Sequence, residues 1–384
     1  MQDVYFSALQ QQLRQRANGQ PLLLLDLNRL ESNLLAIRHA CPNHLTPRLV
    51  VKSLANLSLL EYIATRLNTS AFMLFHLAHL KNLIEQFPQA DILLGKPMTS
   101  QAFECYLKNG AEGSAQIQWL IDSVPRLEQY LFLAQQYKRR IRINLEIDVG
   151  LHRGGFSNLN TFEEALQLIR QHAQYLQLGG LMGYDAHIAK LPTVLFKPHK
   201  IYQYSQQRYQ IFLDALLRIY PEVRLSQLTL NGAGSCSLKH HFSRTVCNDV
   251  SLGSMLLKPT DFDLQGLEHL QPALWIATPI LKVMDSIRLP GLDKLNRLQL
   301  KQKGICVYGG YWRGEYVYPF GLKPHLLYGR SSNQEVLQAD KSADLVVDDY
   351  VFFRPAQSES ILPQFATLHA FQHKQWLKWD NLRE

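Results

Sequence analysis

The feature that most constrains the fold of this chain is a regular alternation of short apolar segments with longer segments of helical spacing. The alternation occurs eight times over roughly the first 240 residues, and each apolar segment has the length of a buried strand. Strands that alternate with helices build a parallel sheet, so eight such units predict an α/β fold, a (β/α)8 TIM-like barrel. An open doubly wound sheet is the alternative, because periodicity alone does not show closure. The strand candidates are Leu22–Asp26, Leu49–Lys52, Ala71–Phe75, Asp91–Leu94, Ile117–Asp122, Ile141–Asp148, Leu178–Tyr184 and Leu228–Asn231.

The character of the sequence changes after Asp263. Long helical periods end there, and glycine, proline, tyrosine and alternating apolar residues follow, as in Ile276–Val283 and Tyr350–Phe353. This texture is typical of antiparallel strands. We therefore expect an N-terminal segment of residues 1–20 that packs on a β domain, a barrel of residues 21–263, and a mostly antiparallel C-terminal β domain of residues 264–384.

Composition and charge exclude several classes of protein. Hydrophobic residues make up 46% of the chain and charged residues 19%, which is typical of a globular protein and not of a disordered one. The net charge is +8, and the basic run Lys138–Arg140 leads into an apolar strand, so nucleic acid is not an expected partner. A modest positive balance suits small anionic ligands.

The cysteines and the N-terminus indicate the compartment. The five cysteines show neither a CxxC pair nor metal-ligand spacing, so we expect reduced thiols. The N-terminus lacks the basic and apolar regions of a signal peptide, and the apolar run Leu22–Leu25 is too short to cross a bilayer. We expect a cytoplasmic protein that does not bind membranes.

A single lysine ends the second predicted strand, within Leu49–Ser53. The mouth of such a strand is partly desolvated, which lowers the pKa of an amine and makes it available for imine formation. Most lysines in this position instead extend to solvent. Lys52 is therefore a candidate catalytic residue only in combination with other strand ends.

The other strand ends supply a cation, an imidazole and a glycine-rich turn. Arg153 can bind a phosphate or a phenolate, or form a salt bridge with Asp148 or Glu146. His187 can stack on a ring or orient a neighbour, or simply be a core histidine. The segment Asn231–Ser237 can hold a phosphate on its backbone N–H groups, or be an ordinary tight turn. Together these strand ends predict a site for an anionic aldehyde.

Five segments carry a resemblance to a known family. In chain order they are Val50–Ser53, Asp148–Gly155, Leu181–His187, Asn231–Ser235 and Leu252–Ser254. In this order they resemble the fold-type III pyridoxal-phosphate enzymes, in particular the branch of alanine racemase, D-threonine aldolase and D-serine dehydratase. The resemblance covers most of the chain, including a barrel followed by a β domain, and the segment Asp148–Gly155 is its most specific part.

The resemblance implies a cofactor and its ligands. Lys52 would bind pyridoxal 5′-phosphate covalently and act as a base, and Arg153 would lie beside the phenolic oxygen. The two glycine turns would hold the phosphate. The resemblance also implies a homodimer. The implied cofactor-binding residues are Lys52, Arg153, Tyr184, His187, Asn231, Gly232, Gly234, Ser235, Gly253 and Ser254.

The chain departs from the family pattern at two places. Racemases of this group carry an arginine near the pyridine nitrogen, and Ser251 stands at that position here. The aldolase and dehydratase branch carries metal ligands in the β domain where this chain has Gln357 and Glu359. Glutamine is a poor ligand for zinc, although its amide oxygen together with Glu359 suits a harder cation. We therefore do not expect a divalent metal.

The functional hypothesis that follows is a lyase acting at the Cα of a D-amino acid or a related amino acid, by elimination or by retro-aldol cleavage. An amino-acid racemase is the first alternative. A non-catalytic protein that carries the cofactor is the second. A nicotinamide dehydrogenase built on Asn231–Ser235 is a more distant one, because the glycine pattern is incomplete at Ser237.

Overall fold

The computed structural model describes residues 2–110, 113, 115–191, 197–288, 291, 303–340 and 343–382. The chain forms two compact units. The barrel unit consists of Leu34–Met255 with a few C-terminal residues, and the sheet unit consists of Met1–Asn33 and Leu256–Asn381. The helix and strand labels follow chain order. No helix among the described residues is both long enough and apolar enough to span a bilayer.

The chain begins with elements of the sheet unit. Helix α1 spans Gln2–Arg16, strand β1 spans Leu22–Asp26, and helix α2 spans Leu27–Ala40. The Asp26 carboxylate accepts hydrogen bonds from the backbone N–H groups of Asn28 and Arg29, so it caps the first turn of α2. Strand and helix therefore follow each other without an intervening loop.

Eight parallel strands close into a barrel in the barrel unit. Closure is made by the last strand, whose residue Asp249 lies opposite Thr46 of the first. The predicted (β/α)8 barrel is thereby confirmed. The strands are β2 (Thr46–Val50), β3 (Ala71–Leu74), β4 (Asp91–Leu94), β5 (Ile117–Ile121), β6 (Ile141–Glu146), β7 (Leu176–Gly183), β8 (Thr229–Gly232) and β9 (Asp249–Leu252).

Helices follow the barrel strands, and several begin with a side-chain cap. Asn56, Thr99 and Asn158 accept hydrogen bonds from the backbone N–H groups three residues later. Such caps satisfy N–H groups that have no partner within the helix. The helices are α3 (Leu57–Leu67), α4 (Leu80–Gln86), α5 (Ser100–Lys108), α6 (Val124–Gln136), α7 (Leu159–Gln171), α8 (His187–Lys190), α9 (Pro198–Ile219) and α10 (Leu238–Ser243).

A charged network crosses the interior of the barrel. Arg48 on β2 is 1% exposed and donates to both carboxylate oxygens of Asp249 on β9, at 2.8 Å each. It also donates to Asp91 on β4 at 2.6 Å, and Asp91 accepts from Gln118 and Arg142. Fully paired in this way, the buried charges connect strands that are distant in sequence.

The described residues of the sheet unit form a nine-stranded sheet, and all but one of the pairings among them are antiparallel. Strand β1 lies between β10 and β16, so the N-terminal strand is internal to the sheet. Three apolar residues of α1, Phe6, Leu9 and Leu13, pack on this sheet. The remaining strands are β10 (Leu274–Met284), β11 (Lys303–Tyr308), β12 (Gly314–Tyr318), β13 (Lys323–Pro324), β14 (Gln334–Ala339), β15 (Tyr350–Pro355), β16 (Thr367–Gln372) and β17 (Gln375–Asp380).

One strand of the predicted barrel lies elsewhere. Leu22–Asp26, assigned from the sequence to the barrel, pairs in the sheet unit, and the barrel closes instead with Asp249–Leu252. An apolar run of this length has the same pattern in a barrel and in the middle of another sheet, so periodicity does not reveal its partners. The predicted domain limits, after residues 20 and 263, differ from the division into compact units, after residues 33 and 255. The predicted domain limits stay a prediction.

Candidate active site

The residues predicted to form the site follow the carboxyl ends of five barrel strands. Lys52 follows β2, Arg153 lies in the loop after β6, and Tyr184 and His187 follow β7. The first glycine turn follows β8 and the second follows β9. All these strand ends point to one face of the barrel, because the strands are parallel. That face is therefore the candidate active site.

Lys52 lies in a single 3-10 turn, Val51–Leu54, directly after β2. Its Nζ atom is 4.6 Å from the centroid of the Phe75 ring, where an ammonium is attracted by the face of the ring. The tip of the Phe75 ring packs closely on Gly95, where a Cβ atom would lie 2.2 Å from Cζ. The structure thus places the lysine amine over an aromatic side chain that sequence analysis had not assigned to the site.

The turn that carries Lys52 lies against the second glycine turn. A Cβ atom at Gly253 would lie 2.8 Å from the Cβ of Ser53, so a larger residue would push the two turns apart. The Gly253 N–H donates to the Ser235 hydroxyl at 3.3 Å. Ser254, the next residue, is buried. Lys52 and both glycine turns are therefore brought together.

The first glycine turn, residues 232–235, packs tightly against neighbouring side chains. A Cβ atom at Gly232 would lie 2.5 Å from the Cys247 sulfur, and one at Gly234 would lie 2.8 Å from the Tyr184 ring. Ala233 between them has a positive φ of 64°. The close approaches explain why both flanking residues are glycine.

Tyr184 connects this turn to Arg153. One part of its ring lies against Gly234, and the guanidinium carbon of Arg153 is 4.8 Å from the ring centroid. The sequence offered Asp148 as a salt-bridge partner of Arg153. Among the described residues Asp148 instead pairs with His152, at 2.6 Å. Asp148 also accepts from the N–H groups of Gly150 and His152. Burial opposes its ionisation, but these bonds hold its pKa below the ordinary value.

Glu146, the last residue of β6, has an unusual carboxyl group. Burial raises its pKa to about 7; the charge of Arg153 opposes the rise, whereas Asp122 and Asp148 add to it. Sequence analysis named Glu146 only as a partner of Arg153. The structure shows a carboxyl group that changes protonation near neutral pH on the same face of the barrel.

His187 is 8% exposed and lies between the β6 loop and helix α9. Its Nε2 atom is 3.3 Å from the Ser205 hydroxyl, and a Cβ atom at Gly150 would lie 3.3 Å from the same nitrogen. Burial lowers its pKa, which favours the neutral ring. Its Nδ1 atom is buried without a hydrogen-bond partner among the described residues. Buried nitrogens of this kind are rare and mark a place that a bound group can use.

Asn231 lies deeper than the other predicted residues. Its amide donates to Asp249 at 2.6 Å and to Ser251 at 2.9 Å, so it extends the charged network of the barrel interior toward the mouth. The residue that stands in place of the racemase arginine, Ser251, is therefore part of this network. The Asn231 side chain therefore points to Ser251 and Asp249 in the barrel interior.

The two weak metal candidates lie in the sheet unit. The Gln357 amide donates to the Asp261 carboxylate at 2.8 Å, and Glu359 is partly buried. Within the part of the chain that the structure describes, no three His, Cys, Asp or Glu side chains come together as metal ligands. The expectation about metals stays a prediction.

Comparisons with known proteins agree with the fold. Residues 25–260 match the protein-family model described as alanine racemase, N-terminal domain. D-threo-3-hydroxyaspartate dehydratase from Delftia sp. HT23 has a similar fold, with a TM-score of 0.74, 15% identity and coverage of 96% of this chain and 98% of the other. Alanine racemase from Clostridium difficile 630 has a TM-score of 0.71 and 15% identity, with coverage of 96% of this chain and 100% of the other. D-threonine aldolase from Filomicrobium marinum has a TM-score of 0.73 and 14% identity, with coverage of 94% of each chain. A search of the curated proteins gave no match.

Proposed function

Since the chain belongs to the alanine racemase N-terminal domain family, of fold-type III pyridoxal-phosphate enzymes, we propose that it is a lyase that uses this cofactor at the Cα of a D-amino acid or a close relative. The family fold implies the cofactor and a small amino-acid substrate. The choice of lyase rests on the chain's own residues.

The residues at the barrel mouth fit pyridoxal phosphate. The Lys52 amine lies over the Phe75 ring. Next to it are the two glycine turns, which the Gly253–Ser235 hydrogen bond links. Backbone N–H groups and hydroxyls of such turns suit a phosphate. The guanidinium of Arg153 suits a phenolate, and the Tyr184 ring suits a flat aromatic ligand. The buried Nδ1 of His187, for which the described part of the chain offers no hydrogen-bond partner, is consistent with a bound group on this face.

Each residue has a role that follows from its chemistry. When bound, the cofactor supplies an electron sink for the pair freed at Cα. Lys52 would hold it through Nζ, and the same nitrogen, when free, would be the base that accepts the Cα proton. Arg153 would stabilise negative charge at the phenolic oxygen. His187, whose pKa is lowered by burial, would accept or donate a hydrogen bond in its neutral form.

The observation that carries the choice of lyase over racemase is Ser251. This hydroxyl is 4% exposed and exchanges hydrogen bonds with Asn231, where racemases of the group have a permanently charged arginine. A neutral hydroxyl does not oppose protonation of the ring nitrogen as a guanidinium does, and a protonated ring withdraws electrons more strongly. Such a ring would stabilise the electron pair freed at Cα, and loss of a β-substituent would follow from there.

The first experiment tests the cofactor. The purified protein should absorb as a lysine-bound pyridoxal derivative, and borohydride should fix the chromophore to the chain. Lys52→Ala should abolish the fixed chromophore. Lys96→Ala, which removes an exposed lysine after β4, serves as the control and should leave it unchanged. A chromophore that survives in Lys52→Ala would contradict the assignment of this residue.

The second experiment separates the reactions. The protein is incubated with a panel of D- and L-amino acids, and ammonia, aldehyde and optical rotation are measured. Ammonia or aldehyde from D-amino acids supports the lyase. Loss of optical rotation without either product would indicate the racemase, and the absence of any change, with cofactor bound, would indicate the carrier protein.

We also propose a cytoplasmic homodimer. The five free cysteines support a reducing compartment, and the family resemblance supports the dimer. Light scattering on the eluted protein tests the second point, since a monomer would give half the expected mass.

A further inference from the structure

A buried carboxylate, Asp185, lies at the centre of a hydrogen-bonded chain beside the first glycine turn. It is 1% exposed and directly follows Tyr184 after strand β7. Its Oδ1 atom accepts from the Ser237 hydroxyl at 2.5 Å, and its Oδ2 atom accepts from His241 Nε2 at 2.8 Å. Both partners are buried as well. None of the three groups is needed to hold or deprotonate a substrate.

The two arms of this chain reach the two glycines of the turn. On one side the Gly234 N–H donates to the Ser237 hydroxyl at 3.1 Å. On the other side the His241 ring packs on Gly232, where a Cβ atom would lie 3.0 Å from its Cε1. The remaining nitrogen of His241 is 2.9 Å from the Thr245 hydroxyl, so the ring is held at both ends. Asp185 therefore connects Tyr184 with both ends of the turn.

The arrangement is a poor way to gain stability. A buried ion pair loses hydration that its mutual attraction only partly repays, and an apolar replacement of similar volume often does as well. Burial opposes protonation of His241, yet its contacts with Asp185 and Cys247 raise its pKa to about 10, which favours the charged ring. A buried contact of this kind suits a role in positioning the backbone.

We propose that Asp185, Ser237 and His241 are positioning residues that hold the turn of residues 232–235 in the shape that binds the cofactor phosphate. The proposal rests on the proposed function, because it takes pyridoxal phosphate as the ligand. It assigns the three residues no contact with the substrate.

The test compares two ligands that differ only in the phosphate. Dissociation constants of pyridoxal 5′-phosphate and of pyridoxal are measured on the apoprotein by absorbance titration. Ser237→Ala removes the link between Gly234 and Asp185 and leaves the Asp185–His241 pair in place. We expect it to weaken binding of the phosphorylated ligand by about tenfold or more, the size of a lost hydrogen bond to a charged group, and binding of pyridoxal far less. Asp185→Asn should act in the same direction.

Controls distinguish positioning from general damage. Ser243→Ala removes another serine of the same segment, an exposed residue whose hydroxyl donates to the His240 carbonyl, and should change neither constant. Ser237→Thr keeps the hydroxyl and should restore most of the difference between the ligands. Equal weakening of both ligands by Ser237→Ala, or no weakening, would overturn the proposal. Should the unmodified protein bind pyridoxal as tightly as its phosphate, the proposed function itself would fail.

Discussion

Glu146 shows how far one environment can move a side chain from its ordinary chemistry. The carboxyl group is partly buried at the end of β6, and desolvation raises its pKa to about 7, against the opposing charge of Arg153 and with the help of Asp122 and Asp148. An ordinary glutamate ionises near pH 4.3, so the folded protein binds more protons than the unfolded chain between about pH 4.3 and 7. The free energy of unfolding must therefore fall as the pH rises through this window.

Glu146→Gln should remove this fall in the free energy of unfolding with rising pH. At pH 8 the variant should be more stable than the original protein by about 1–3 kcal/mol, because the cost of a buried charge is gone, and at pH 4.5 the two should be nearly equal. Urea unfolding of the apoprotein at both pH values measures the difference. Glu128→Gln, at an exposed position on α6, is the control and should change neither value. A benefit that is the same at both pH values would contradict the assigned pKa.

Gly180 on β7 offers a second prediction about a single residue. Its φ is 151°, and a Cβ atom there would lie 2.0 Å from the Thr229 carbonyl oxygen of the neighbouring strand. Gly180→Ala should cost about 3 kcal/mol or more, or prevent folding, because backbone must move. Gly154→Ala is a matched control: φ is 156° but nothing lies within 4 Å, so only conformational strain of about 1 kcal/mol is expected. Thermal unfolding of both variants tells them apart.

At the scale of elements, the barrel strands are joined through their interior as well as by their backbone. Arg48 on β2 binds Asp249 on β9 and Asp91 on β4. Each charge is buried or partly buried and has its partners, so removing one partner leaves the others unpaired. The polar interior also explains the sequence of β9, whose residues Asp249 and Ser251 contact Arg48 and Asn231.

Asp249→Asn should destabilise the barrel unit by about 3–5 kcal/mol, because the Arg48 charge loses its bidentate partner in a buried place. Chemical unfolding followed by circular dichroism measures the loss. Glu163→Gln removes a carboxylate that pairs with Arg218 at a similar distance on the surface, and it should cost less than about 1 kcal/mol. Similar losses in both variants would show that the buried network is not more important than a surface pair.

At the scale of the whole molecule, the sheet unit is assembled from both ends of the chain. Strand β1 makes four residue pairings with β10 and four with β16. Both partner strands come after the barrel strands in the sequence. Helix α1 adds a cover, in which Phe6 packs on Trp275 and Phe352. The unit cannot be completed until its N-terminal strand and its C-terminal strands meet.

Deletion of residues 2–26 should therefore disrupt the sheet unit. The edges of β10 and β16 would be left without their shared neighbour, and exposed edges of this kind aggregate. Deletion of residues 2–16 is the control: it removes α1 and its apolar contacts but keeps β1, so the protein should be destabilised and remain folded. Soluble yield, gel filtration and thermal unfolding distinguish the two. Equal behaviour of both shortened chains would contradict the role of β1.

Local sequence pattern determined much of this protein. A short, mostly apolar run is a property of a few neighbouring positions, so fully buried strands such as Ala71–Leu74 and Ile117–Ile121 could be located without knowing their partners. The change of pattern after Asp263 predicted the antiparallel strands for the same reason. The segments that carry the family resemblance, including Lys52 and the two glycine turns, are also contiguous in sequence.

Only the tertiary structure decided which distant groups meet. It placed Leu22–Asp26 in the other sheet, and it made a barrel strand of Asp249–Leu252, which has no apolar run because its polar side chains face a charged interior. It also brought Asp185 and His241 together across 56 residues and gave Glu146 its pKa. Partner choice and desolvation depend on atoms far apart along the chain, and no local pattern records them.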